Sequence, residues 1–163
     1  MDGEIEEEMI ALLPRLRRFA FALTGSWPDA DDLVQTTCAR AIERLDQWQI
    51  GTRLDSWMYR IAQNQHRNDL RKDRTRSSHL REVGAEDVDI VSQNAPVDRL
   101  ALKDLDAAMA KLPSEQRAVL LLVSVEGLSY QEVADLMEMS PGTVASRVSR
   151  ARANLSDMLD GGR

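Results

Sequence analysis

Apolar residues recur every three or four positions along most of this chain, the spacing that lines one face of an α-helix. Ile10, Leu13, Leu16, Ala20 and Leu23 keep that period and predict a helix over residues 5–23. Pro14 falls inside it and removes one backbone donor, so the helix either kinks or begins there. Thr24-Gly25-Ser26 breaks the pattern. Ser26 then reads as an N-cap, with Pro28 in the first turn of a second helix that runs to Trp48. Its apolar face takes Leu33, Thr37 or Cys38, Ala41, Ile42 and Leu45. A short polar loop with Gly51 covers residues 49–53, and a third helix extends from Asp55 to Arg74.

Residues 77–96 lose the period. They hold Gly84, the acids Glu82, Glu86, Asp87 and Asp89, and Asn94 ahead of Pro96, and they read as a flexible linker. Helical spacing resumes over residues 97–111, with Leu100, Leu105, Ala108 and Leu112 to one side. Pro113 opens the next helix, whose residues 118–125 are strongly apolar, and Gly127 ends it. Two further helices follow, over residues 129–137 and 142–159. Ser129 with Glu132 forms a capping box, and Val133, Leu136 and Met137 are the buried side. Ser140 suits an N-cap and Pro141 the first helical position. The last helix buries Val144, Val148, Ala151 and Leu155, and it shows Thr143, Ser146, Arg147, Arg150 and Asn154 outward. Two short helices joined by a tight turn, the second amphipathic and basic, make a helix-turn-helix.

Composition narrows the class. The chain has 163 residues, 43% hydrophobic but only 4% aromatic. That suits an all-α protein of two small helical domains and speaks against a β-sandwich or barrel. No apolar run reaches the length of a membrane span, and the acidic start is unlike a secretory signal. One cysteine, Cys38, and two histidines, His66 and His79, cannot build a disulfide framework or a Cys/His zinc site within one chain. A soluble cytoplasmic protein without a cofactor, a metal or a catalytic residue set is expected.

The net charge of −6 counts against a nucleic-acid partner until its distribution is drawn. Residues 51–76 carry seven bases against three acids, and residues 143–152 carry Arg147, Arg150 and Arg152 with no acid. On the third helix, Arg60, Asn64, Arg67, Arg71 and Arg74 fall within about 80° of one another, whereas Asp69 and Asp73 lie roughly opposite. A solubilising face explains the bases but not the exclusion of acids from that arc. Guanidinium forks pair with phosphates, and an amide can read a base edge. Trp57 shares the apolar arc and is a core residue. Trp48, beside the loop, is either core or a platform on which an unpaired base could stack.

Together these segments resemble the sigma-70 family of RNA polymerase sigma factors, in particular the small extracytoplasmic-function (ECF) group. The resemblance spans nearly the whole chain. It is carried by Leu13-Pro14-Arg15-Leu16-Arg17-Arg18-Phe19-Ala20, Ala30-Asp31-Asp32-Leu33-Val34-Gln35, Trp57-Met58-Tyr59-Arg60-Ile61-Ala62-Gln63-Asn64, Leu112-Pro113, Gly142-Thr143-Val144, Ser146-Arg147-Val148 and Arg150-Ala151-Arg152. It implies that residues 1–76 are a domain two, which binds the polymerase clamp and the minus-10 element. Residues 97–163 would be a domain four, which binds the minus-35 element and the polymerase flap. By position it assigns core binding to Asp31, Asp32, Gln35 and Thr36, the last standing where the family often has an acid. It assigns minus-10 contacts to Trp48, Gln49, Arg53, Arg60, Asn64, Arg67 and Arg71, and minus-35 contacts to Thr143, Ser146, Arg147 and Arg150. Ala145 replaces a basic residue seen in many members. The implied partners are bacterial core RNA polymerase, promoter DNA and an anti-sigma factor. A free-standing helix-turn-helix repressor is the rival reading; it leaves the first 76 residues without a role.

Overall fold

A computed structural model describes residues 2–77 and 99–161. Among them are seven α-helices: α1 (Asp2–Thr24), α2 (Trp27–Glu43), α3 (Leu54–Ser77), α4 (Arg99–Lys111), α5 (Ser114–Ser124), α6 (Tyr130–Met137) and α7 (Pro141–Asp160). A single 3-10 turn, Leu45–Gln47, follows α2, and the described residues contain no strand. The expected linker, Ser77 apart, and His79 lie outside the described residues.

Helix α1 continues through Pro14 without a break. The ring sits on the exposed side, where the carbonyl it leaves without a donor is open to water. Helix α2 ends at Glu43, earlier than the period suggested. Arg44 leaves helical geometry, and Ile42 is 64% exposed rather than part of the core. Thr37, not Cys38, takes the buried position. Its hydroxyl donates to the Leu33 carbonyl at 2.7 Å, which removes the cost of burying it. The second-half helices keep their expected places among the described residues, which include α4 from Arg99 on, except that Leu105 is exposed.

The caps act where the sequence put them. Ser26, Ser129 and Ser140 each accept a hydrogen bond from the backbone N–H three residues on, and Ser129 with Glu132 closes a reciprocal box. Between α6 and α7, Glu138 takes the left-handed conformation at φ 55°, which turns the chain sharply enough to form the helix-turn-helix.

Helix α1 organises the whole body: it packs against α2, α3 and, from the other half, α5. Helix α3 also touches α6, and α5 lies on α7. The buried apolar residues of both halves form one contiguous core, from Leu16, Phe19, Leu54 and Met58 through to Leu122, Val133, Val144 and Val148. Phe19 and Tyr59 meet with ring centroids 4.9 Å apart, and Trp57 packs on the margin of this core as expected.

One residue ties the halves at their centre. Arg117 of α5 is buried. Its Nε donates to the Ala22 carbonyl at 2.6 Å, and its Nη1 to those of Leu112 at 2.9 Å and Ala110 at 3.1 Å. The C-terminal ends of α1 and α4 therefore converge on one guanidinium. Each end carries about half a negative charge, so the pair offsets a buried cation that has no carboxylate partner. Burial still pushes the Arg117 pKa down. Gly25, at φ +77°, lets the chain turn against this group: a Cβ there would meet Arg117 Nη2 at 3.0 Å. Gly25→Ala is expected to lower stability by about 1–2 kcal/mol through the left-handed backbone and a displaced guanidinium. Urea unfolding reads this directly, and an unchanged midpoint would refute it.

Candidate DNA and polymerase interfaces

The proposed minus-10 surface lies along α3 and the loop before it. Arg60, Asn64 and Arg71 are exposed on one side of the helix, as their spacing requires. Gln49 is exposed too, and its carbonyl accepts from the N–H and the hydroxyl of Thr52, which closes the loop. Trp48 is half-buried against the core, with its indole N–H buried and unpartnered. This favours the core reading of Trp48 over an open stacking platform.

One member of the basic stripe, Arg67, and Arg53 of the loop before it are already engaged. Arg67 Nη2 donates to the Met137 carbonyl at 2.7 Å, and its Nη1 pairs with Glu138. Arg53 bridges Asp55 at 2.9 Å and Glu132 at 3.3 Å. The acceptors Met137, Glu138 and Glu132 belong to the helix-turn-helix of the other half. Asp55 is held below the usual carboxylate range: burial opposes this, but hydrogen bonds from Arg53 and Arg15 outweigh it.

At the C-terminal site, the Ser140 hydroxyl caps α7, accepting from the Thr143 N–H at 3.1 Å and lying 2.8 Å from the Thr143 hydroxyl. Ser146 and Arg150 are exposed on the same helix. Arg147 is half-buried, paired with Glu115 at 3.1 Å and resting on the Met139 sulfur. It lines a cleft of about 250 Å³ with Gln63, His66 and Arg67 of α3 and Glu138 of the turn. Burial pushes the His66 pKa down, which favours the neutral imidazole there. One arginine of each basic surface, Arg67 and Arg147, thus lines the same cleft, while Arg60, Asn64, Arg71, Ser146 and Arg150 stay exposed outside its lining.

The proposed polymerase contacts lie together on the outer side of α2. Asp31, Asp32 and Gln35 are exposed, and the Thr36 hydroxyl donates to the Asp32 carbonyl at 3.0 Å. Arg17 holds Asp31 at 2.7 Å and lies over the Trp27 ring, which leaves Asp32 and Gln35 as the more accessible pair.

The sequence pattern did not reveal Glu126. Its side chain is only 3% exposed, in the turn after α5. It accepts from Arg15 Nε at 2.6 Å, the Tyr59 hydroxyl at 3.0 Å and Arg18 at 3.4 Å. Three donors from the first half therefore surround one carboxylate from the second. Both Arg15 and Tyr59 have raised pKa values. For Arg15, burial opposes the rise and the bonds to Glu126 and Asp55 prevail; for Tyr59, burial leads and the Glu126 charge adds to it.

A helical body that carries a helix-turn-helix beside a basic helical stripe has the features of a DNA-binding protein. Comparison with known proteins makes the class specific. Residues 9–76 match the family model "Sigma-70 region 2", and residues 102–155 match "Sigma-70, region 4". The chain is 39% identical to the ECF RNA polymerase sigma factor EcfG of Rhodopseudomonas palustris, over 98% of this chain and 87% of that one. It is 36% identical to the ECF RNA polymerase sigma factor SigE of Mycolicibacterium smegmatis, over 89% of this chain and 57% of that one. Among solved structures, the sigma factor RpoE of Bartonella quintana, in complex with the anti-sigma factor NepR, superposes with a TM-score of 0.84 at 32% identity, covering 98% of this chain and 99% of that one. CnrH in complex with the cytosolic domain of CnrY gives a TM-score of 0.63 at 25% identity, over 97% and 91%. The chain belongs to the sigma-70 family, in its extracytoplasmic-function group. No helix among the described residues is long and apolar enough to cross a membrane.

Proposed function

We propose that the chain binds core RNA polymerase and directs it to promoters, using α3 and the loop before it at the minus-10 element and α7 at the minus-35 element. The observation that carries this reading is the pairing, within one chain of the family, of an acid-free basic arc on α3 with a capped, basic α7 in a helix-turn-helix. Its action is binding, with no covalent step. In an acidic chain each contact is weak alone. Polymerase fixes both halves on one surface, and effective concentration turns two weak contacts into one specific contact. The helix-turn-helix contributes Arg147 and Arg150 to base edges and phosphates, with Thr143 and Ser146 at the leading end of α7. Arg60 and Asn64 face the other element, backed by Arg53, Arg67 and Arg71. Control by an anti-sigma factor is supported by the two structural relatives solved with such partners or a partner's cytosolic domain.

The test is reconstituted transcription with bacterial core polymerase and genomic promoter fragments. Specific transcripts that appear only on addition of the chain support the proposal. No core binding, with dimeric binding to free duplex, would replace it with the repressor reading. Asp32→Ala with Gln35→Ala is expected to weaken core binding at least tenfold in a pull-down titration while leaving the fold intact. Equal loss on promoter DNA alone would show that the α2 surface has been misassigned.

A further inference from the structure

Resting on that reading, we propose that Glu115, which stands outside the helix-turn-helix, is a positioning residue for base recognition. It aims the Arg147 fork, and so raises promoter specificity while lowering affinity for DNA in general. Residues 140–152, the leading part of α7, contain no acid. A carboxylate beside a DNA-reading helix repels phosphates, so its exclusion there is the expected pattern. The fold nevertheless brings one back from another element. Glu115 lies in the first turn of α5, which packs against α7, and it pairs with Arg147 Nη2 at 3.1 Å. Both partners belong to the second half, so the pair does not depend on where the first half sits.

Arg147 is held at both terminal nitrogens. Nη2 faces Glu115, and Nη1 donates to the Met139 sulfur at 3.5 Å. A guanidinium carries its N–H donors in one rigid plane, so two held nitrogens fix that plane and leave further donors for a base edge. A side chain fixed in this way reads only an edge that lies where the fork points. An untethered one follows whichever acceptor it meets, phosphate included. Arg150, one turn on, is exposed and among the described residues has no acid partner. The acid therefore acts on Arg147 alone of these two. Stability does not account for its place. The Glu115 side chain is 68% exposed, and so exposed a pair adds little to folding. The first turn of α5 favours an acid for its helix dipole, but that role needs no arginine partner.

The test uses the full chain bound to core polymerase. Competition binding is measured on a promoter that the natural chain transcribes and on derivatives with each minus-35 base pair replaced in turn. The natural complex is expected to discriminate about 30-fold at the base pair that Arg147 meets, as one good bidentate contact does. Glu115→Gln should cut this below about tenfold and Glu115→Ala below about fivefold, while binding to DNA that lacks the element tightens about twofold. Glu115→Asp, which keeps the charge, should recover part of the discrimination. Asp104→Asn, at an exposed acid of α4, makes the same change in net charge as Glu115→Gln and should leave discrimination unaltered. In an Arg147→Ala background, Glu115→Gln should change discrimination no further, because it acts through that arginine. Unchanged discrimination in Glu115→Gln and Glu115→Ala overturns the inference, whether or not Tm falls. So does a further loss of the same size in the Arg147→Ala background. The proposed function is read separately. If the natural chain directs transcription and Glu115→Ala discriminates as well as it does, only the positioning role fails. If the natural chain directs no transcription from any genomic fragment, the promoter reading fails and the positioning role falls with it.

Discussion

Replacing Arg147 and Arg150 together with alanine is expected to weaken promoter binding by the polymerase-bound chain about 100-fold. Well-placed arginine contacts to base edges are worth roughly 1–3 kcal/mol each, and two on one helix face lose some 3 kcal/mol between them. The positions support this. Arg150 lies one helical turn beyond Arg147 on α7, and both follow the cap formed by Ser140 and Thr143. Arg147 is pre-positioned by Glu115 and the Met139 sulfur, so it loses less rotamer freedom when it meets DNA. Neither residue is part of the apolar core, which α7 joins through Val144, Val148 and Ala151. Core binding should therefore be unchanged. Footprinting of the holoenzyme on a responsive promoter, beside a core-binding titration, separates the two steps. A loss smaller than threefold on the promoter would remove α7 from the recognition surface.

The second large effect is expected on stability. Arg117→Met removes the group on which α1 and α4 end. A methionine fills much of the volume, but the carbonyls of Ala22, Ala110 and Leu112 lose their donor. Unsatisfied buried acceptors cost about 1–3 kcal/mol each, offset in part because a buried cation no longer has to be desolvated. A net loss of about 3 kcal/mol should lower Tm by roughly 10 °C for a chain of this size. Circular dichroism at 222 nm follows it. Arg117→Lys should recover little, since an ammonium cannot reach the Ala110 and Leu112 carbonyls and that of Ala22 on another helix as a planar fork does. A Tm within 2 °C of the natural chain would mean that water replaces the guanidinium.

Much of this architecture is local and therefore legible. Serine caps, the proline at the head of α7 and the 3.6-residue period are short-range signals, and the helices they mark fall where the pattern put them. The stripe on α3 is visible because Arg60, Asn64 and Arg71 lie on one turn-by-turn line. The misplacements are equally physical. Ile42 looks like core by spacing, but α2 stops one residue later, and the following 3-10 turn carries the chain away before anything covers that face. The contacts that shape the candidate site are those with no local trace. Glu126 meets Arg15 across 111 positions and Tyr59 across 67. Its own neighbours, Val125 and Gly127, mark it only as a turn. Arg67 on α3 and Arg53 just before it looked free because periodicity describes one helix at a time, and the acceptors they reach in the other half lie on α6 and the turn behind it.

The end of α1 is completed by a residue 95 positions away, since Arg117 donates to the Ala22 carbonyl. That helix terminus is whole only while the two halves touch. When they separate, the last turn of α1 loses an acceptor's partner and frays sooner than the rest of the helix. The amide hydrogens of that turn then exchange with solvent at a rate set by how often the molecule opens. A single strip of backbone thereby serves as a built-in clock for the conformational equilibrium of the whole protein.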